Sequence, residues 1–406
     1  MTQPSLKTPF LEKIAEHVCK HFKSLPKQGK PSPEKNEWTT MASIVQSEGE
    51  DNVKIIALGT GTRCLGHNEL SDNGDVLSDS HAEIIARRSF LLYLHDQLSL
   101  AISNKHSILV RNSCSPQLFD LIPSIKFHLF VSHVPCGDAA IFEIIDTATV
   151  PIIDGSAVPP TKKVKLETSQ HRTGAKLKVG DIYEEVQTPG KCRVKPGKGD
   201  PTLSMSCSDK IAKWQILGMQ GSLLGNFIKT PLVLSSVIIG GKVNLSASTL
   251  QRALFHRFHD SLIDAIKVNH TCPDIYQSHI NFMEFPADGC PAPGAISGYL
   301  KSCSKFITEV TVNGRKQGVT KKNFGKPSSR SSICRKNLYQ LFLKTESLLH
   351  ETSQGYIPSH EAKSYADAKT RNGDYFTSWN NLKQSHAWEG WTCKPEVLSL
   401  FSAQDN

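Results

Sequence analysis

SDSHAEIIARRSFLLYLH, Ser78 to His95, carries two opposed signals. From Ala82 onward it reads as a helix of about His81 to about Leu100, with Ile84, Ile85, Phe90, Leu91, Leu92 and Leu94 forming a broad apolar face. Yet Arg87 and Arg88 sit in its middle, and His81 and Glu83 crowd its first turn. A helix fit for burial carries that much charge only where the interior has a use for it.

The segments on either side point to an α/β layered fold. VKIIALGTGTRC (53–64) reads as a strand entering a glycine turn, and FHLFVSHVPCGDAAIFEII gives a strand (127–134), a Pro-Cys-Gly turn and a helix from about Gly137. CSDKIAKWQILGMQGSLLGNFI reads as helical, PLVLSSVIIGG (231–241) as a strand, and STLQRALFHRFHDSLIDAI (248–266) as a helix. An amphipathic helix is expected over 6–24, a short strand near Ile307–Val312, and helices around Ile333–Leu349, Ser359–Thr370 and Tyr375–Lys383. Residues 147–203 are poor in large apolar residues and rich in Pro, Gly and Lys, as an exposed, partly flexible insertion would be.

The totals narrow the class. With 406 residues, 38% hydrophobic, the chain can bury a substantial core, and it contains no run of eighteen apolar residues and no secretory core near its start. Eleven scattered cysteines suit reduced thiols or metal ligands in an intracellular compartment better than a disulfide framework. A net charge of +9 favours a polyanionic partner.

His81, Cys136 and Cys207 each stand at the expected start of a helix. One imidazole and two thiolates make the three protein ligands of a catalytic zinc, with a fourth position open to water. Glu83, two residues from His81, would sit beside the metal without ligating it, where a proton shuttle belongs. His-x-Glu with Pro-Cys is the zinc deaminase signature. Ser80 and Glu83 also fit a capping box, and a Pro-Cys-Gly is often a turn with an inert thiol. By spacing alone the second cysteine ligand stays open among the remaining ten.

DSHAEIIARRSF, PCGDA and SMSCSDKIAKWQILGMQGSLL resemble, in order, three blocks of the adenosine deaminases that act on RNA. LPKQGKPSPEKNEW, RTGAK (172–176), RVKPGKGDPTLSMSCSDK (193–210) and QGVTKK (317–322) narrow the resemblance to the tRNA-specific branch, from about Leu11 to Pro395. The resemblance implies a single deaminase domain over 1–406, with an N-terminal helix and basic RNA-contacting extension over 1–50. It implies a cytidine-deaminase-like fold, a central β-sheet flanked by helices, with a C-terminal helical extension. It implies His81, Cys136 and Cys207 as the zinc ligands and Glu83 as the catalytic residue, which takes a proton from the attacking water and returns protons to the ring and the leaving amine. The substrate implied is tRNA, at the adenosine 3′ of the anticodon of tRNA-Ala, with Thr62 touching the flipped nucleotide.

The resemblance also accounts for the arginines. It implies a buried inositol hexakisphosphate held by Arg87, Arg88, Lys210, Lys213, Trp214, Gln220, Ser222, Arg335, Tyr365, Lys369, Trp391 and Lys394. Taken on their own, these cations would be expected to reach solvent. The chain departs from the pattern at Cys393, Ser78 and Lys213, which puts single contacts in question but not the pocket.

About fifty residues precede the core, too few for a separate duplex-RNA-binding domain, which favours a compact tRNA reader. The expected phosphate contacts are Lys27, Lys30 and Lys35, then Arg63, then Arg193, Lys195 and Lys198, with Lys321, Lys322 and Lys326 as further candidates. PPTKKVKLE (159–167) has the form of a nuclear import signal, giving nucleus or cytoplasm as the expected location.

Overall fold

The computed structural model describes residues 8–141, 176–179, 182–184, 189–197, 200–241, 246–258, 272–302, 304–352 and 363–404. Its frame is an eight-stranded sheet. In chain order the strands are β1 (Met41–Glu48), β2 (Asn52–Thr60), β3 (Ile125–Val131), β4 (Ser236–Ile239), β5 (Asp274–Gln277), β6 (Gly294–Lys301), β7 (Lys305–Val312) and β8 (Arg315–Lys316). Across the sheet they run β5-β4-β3-β1-β2-β6-β7-β8. β3, β4 and β5 are mutually parallel, and the remaining pairs are antiparallel.

Apolar residues on both faces of the central strands demand cover on both sides. On one face lies α1 (Thr8–Ser24), whose Leu11, Ile14, Ala15, Val18 and Phe22 recur at helical spacing and pack on Met41, Val45, Leu58 and Phe130. On the other lies α2 (Ala82–Ile102), whose Ala82, Ala86, Phe90 and Leu94 pack with Ala42, Ile44, Phe127 and Leu129. Gly59 of β2 lets the start of α2 lie against the sheet, because a Cβ there would collide with the Ala82 carbonyl and the Ala86 amide. Around α2 sit α3 (Cys207–Leu217), α4 (Gly221–Leu224), α5 (Ala247–Gln251), α6 (Arg335–Thr352), α7 (Tyr365–Thr370) and α8 (Gly373–Lys383). The layered α/β fold and the helical C-terminal part are those expected.

Several boundaries differ. The helix expected from Gly137 is a 3₁₀ turn over Asp138–Ala140. The helix expected from Cys207 through Ile228 breaks at Gly218, whose φ of 88° no helix accommodates, into α3 and α4. Past Gln251 the next helix turns into a π-helical stretch over Arg252–His256. Within the stretch 1–50 expected to form an N-terminal extension, Met41–Glu48 is instead β1, a buried inner strand. The insertion is likewise not exposed throughout: Arg193–Val194 pairs with Lys176–Val179, which also pairs with Ile182–Glu184, and Cys192 to Lys195 are buried. PPTKKVKLE lies outside the described residues. Among the described residues no helix is long and apolar enough to cross a membrane.

Candidate active site and anion pocket

Three chain segments bring His81, Cys136 and Cys207 together. His81 ends a short strand, Asp79–His81, pairs with Thr62 across it, and caps α2. Cys136 lies in the turn after β3, and Cys207 is the first residue of α3, whose N-cap Ser206 accepts from the Asp209 amide. The sulfurs of Cys136 and Cys207 lie 3.9 and 3.6 Å from His81 Nδ1, and the three donor atoms all lie within 4.8 Å of one another. That spacing matches one tetrahedral ion with bonds of roughly 2.0–2.3 Å, so the donor set fits zinc.

Glu83 turns its carboxylate to this cluster. The Cys207 thiol stands 3.2 Å from Glu83 Oε2, and no side chain caps α2, so the alternative capping box with Ser80 is not formed. Burial, with the Cys136 charge beside it, pushes the Glu83 carboxyl above the usual range. Hydrogen bonding from Cys207 holds the Cys136 thiol well below the ordinary cysteine value. Glu83 is 8% exposed and Cys136 7%, so the cluster is enclosed but reachable.

An acid two residues after each cysteine locks the two cysteine loops. Asp138, fully buried, pairs with Arg252 and Arg257, and Arg257 pairs in turn with Asp209. Asp209 also accepts from the Arg193 amide and the Ser206 hydroxyl, at 2.9 and 2.6 Å. Gly137, at φ 104°, admits Ser206 and Ser208 where a Cβ would collide with both. These acids were not singled out in the sequence, although the repeated Cys-x-Asp spacing is a signal that could have found them.

Beside this centre lies a cavity of about 280 Å³. Its walls include all of the side chains expected to hold a polyanion: Arg87, Arg88, Lys210, Lys213, Trp214, Gln220, Ser222, Arg335, Tyr365, Lys369, Trp391 and Lys394. Seven of these are cations, whereas among the described residues the only acid in the lining is Asp79. Arg87 and Arg88 are fixed through Nε on the carbonyls of Met219 and Ile333, at 2.9 and 2.7 Å, and Arg335 donates to the Leu398 carbonyl. Lys213 lies over the ring of Trp379, and burial with the neighbouring cations holds its ammonium well below the ordinary lysine value. Tyr375, a further lining residue, carries no sequence signal that separates it from other helix tyrosines. So dense a group of cations is costly unless an anion joins it.

Asp79 connects the two sites. Its carboxylate receives Lys195 Nζ at 2.8 Å and Lys210 Nζ at 2.6 Å, and it also accepts from the His81 amide at 3.1 Å. Burial alone would raise Asp79, but the two ammoniums hold it well below the usual carboxylate range, while Asp79 holds buried Lys195 well above the usual lysine value. This corrects the expectation for Arg193 and Lys195. They are 1% and 2% exposed and belong to the interior, because Lys195 pairs with Asp79 and the Arg193 strand packs beside α3.

The other expected RNA contacts divide. Lys27, Lys35, Arg63, Lys321, Lys322 and Lys326 are exposed, and Thr62 is half-buried beside His81. Lys30 is occupied at the end of α1, donating to the Lys23 and Leu25 carbonyls at 3.0 and 2.6 Å. Lys198 lies outside the described residues.

Similarity to known proteins extends over most of the chain. The adenosine-deaminase (editase) domain matches residues 57–395. A tRNA-specific adenosine deaminase 1 of Drosophila melanogaster is 34% identical, covering 98% of this chain and 99% of that protein. One of Mus musculus is 30% identical, over 96% and 99%. The double-stranded RNA-specific editase Adar of Drosophila melanogaster is 37% identical, but over 55% of this chain and 32% of its own length.

Proposed function

We propose that this chain, which belongs to the adenosine-deaminase (editase) family, converts adenosine to inosine in tRNA, at the position 3′ of the anticodon of tRNA-Ala. The observation that carries the reading is Glu83 turned towards the His81, Cys136 and Cys207 cluster. Near full-length similarity to tRNA-specific adenosine deaminases supports tRNA as substrate.

A zinc ion bound by the three side chains would supply a water acidified enough to attack at neutral pH. The rest falls to the protein. Glu83, raised by burial, accepts a proton at its carboxylate from the attacking water as it adds to carbon 6 of the purine. It delivers that proton to the ring nitrogen, then takes the proton of the new hydroxyl on carbon 6 and passes it to the departing amine. Adenosine and water thus give inosine and ammonia. The near-complete enclosure of Glu83 excludes bulk water, and a loop nucleotide reaches it at less cost than a paired one.

Inositol hexakisphosphate is the polyanion proposed for the cavity, with arginine forks and lysine charges on its phosphate oxygens. Thr62 is assigned to the flipped nucleotide, and Lys27, Lys35 and Arg63 to neighbouring phosphates. The test is inosine formation on a folded tRNA-Ala transcript beside an unrelated tRNA, a long RNA duplex and free adenosine. Conversion confined to the adenosine 3′ of the tRNA-Ala anticodon is expected. Conversion of the duplex or the nucleoside instead would overturn the substrate and keep the chemistry.

A further inference from the structure

Trp38, Phe285 and His133 form a ladder of rings at the end of the sheet that carries the catalytic cluster. Phe285 and His133 are stacked, with centroids 4.3 Å apart and planes 18° apart, and Trp38 follows at 4.4 Å from Phe285 with its plane tilted by 44°. All three are half-buried, whereas rings of this size within a core would be fully covered. Trp38 ends the ladder, and Phe285 is its one ring partner among the described residues.

The strand register brings the ladder to the site. β1 is antiparallel to β2 and β3, with Met41 opposite Thr60 and Ala42 opposite Val131. The start of β1 and the ends of β2 and β3 therefore converge. Trp38 and Thr40 come from the first, Gly61 and Thr62 from the second, and His133 and Cys136 from the third. The convergence is stitched: Thr40 Oγ1 donates to the Gly61 carbonyl at 2.9 Å, and Ser132 Oγ meets both the Met41 amide and His133 Nδ1 at 2.9 Å. Pro291 pairs with Trp38, and its carbonyl accepts from exposed Arg63 at 3.2 Å. A π-surface and a cation thus stand together on one rim of the cleft.

We propose that this ladder is a stacking platform, on which Trp38 receives an unpaired base next to the adenosine drawn into the site. The inference rests on the proposed RNA reading and names how that substrate is positioned. Single-stranded RNA is held by aromatic faces with flanking cations, and either purine or pyrimidine will stack. A folded protein would meet the same surface through side chains of defined shape. An RNA loop meets it with a splayed base at whatever sequence the loop carries, while Arg63 takes a backbone phosphate. Trp38 is a positioning residue here, since it holds the substrate and takes no part in the proton transfers.

The test is a cycle of side chain against base. Inosine formation on a tRNA-Ala anticodon stem-loop is measured for the protein and for Trp38→Leu and Trp38→Phe, each on the normal RNA and on RNAs with an abasic nucleotide on either side of the target. Because one base stack is lost, Trp38→Leu should lower kcat/KM about 10-fold, mainly through KM. Trp38→Phe should recover most of it. One of the abasic RNAs should cost the unaltered protein the same factor and cost Trp38→Leu nothing further. Equal sensitivity of both proteins to every abasic site overturns the platform while the substrate reading stands. Absence of inosine from the unaltered protein on any RNA overturns both. Phe285→Leu, which loosens the ladder from its middle, should follow Trp38→Leu, and full activity of both with matching melting curves contradicts the proposal.

Discussion

Lys210 donates to Asp79 Oδ2 at 2.6 Å, and that contact ties the cationic cavity to the short strand that ends in His81. The same carboxylate neutralises Lys195 from the other side. An anion seated among the cations and a metal held by His81 would thus act on a single shared acid.

Asp79→Asn should therefore be more damaging than the loss of an exposed acid. It leaves Lys195 buried without its counter-charge, a change of about 3–5 kcal/mol in comparable buried pairs. Urea unfolding should show the loss, and deamination should fall by at least 10-fold. Asp79→Asn with unaltered midpoint and rate would show that the pairing has no such role.

The cavity predicts a resident polyanion. Phosphorus analysis of denatured protein from a eukaryotic host should yield an inositol polyphosphate. Arg88→Glu, which removes a fixed guanidinium and adds like charge to the expected ligand, should bring both a lower phosphorus content and a lower Tm. Full folding and activity in protein made without any inositol polyphosphate would contradict it.

Stability should also weaken in mild acid. His128, between the Ser47 and Ser236 hydroxyls at 2.9 and 2.8 Å, is pushed down by burial to about 4, and His95, beside Thr345, to about 3. Both are neutral when folded, whereas an unfolded histidine takes a proton near 6.5. The unfolded chain binds more protons between those values, so stability is full above about pH 6.5 and declines as pH falls towards 4. Each group contributes a slope of up to about 1.4 kcal/mol per pH unit. Urea midpoints at pH 7, 6 and 5 should drop in order, and His128→Gln should flatten the slope by one proton's worth. An unchanged slope in that variant would refute the assignment.

How much of this was legible follows from which residues speak locally. α2 and β2 were readable because their apolar spacing and the glycine turn between them are local signals. The metal cluster was readable as a motif only in part, because Cys136 and Cys207 meet through the meeting of β3's end and α3's start, which no spacing encodes. β1 was missed, since MASIVQSE is buried on both faces and shows no alternation, and β6 was hidden by Gly294 and Gly298. Arg193 and Lys195 read as surface charges, because Lys195 meets Asp79 only across 116 residues and the Arg193 strand is buried only by its packing beside α3. The cations of the cavity, by contrast, were assigned through resemblance, where helix periodicity alone would have sent them to solvent.

The most direct test of the central claim is to measure zinc content and inosine formation on the same preparations of the unaltered protein and Glu83→Ala. Glu83 is positioned to move protons and is not among the three donors, so both preparations should hold about one zinc per chain and only the unaltered protein should make inosine. Deamination by Glu83→Ala, or loss of its zinc together with its activity, would contradict the role given to Glu83.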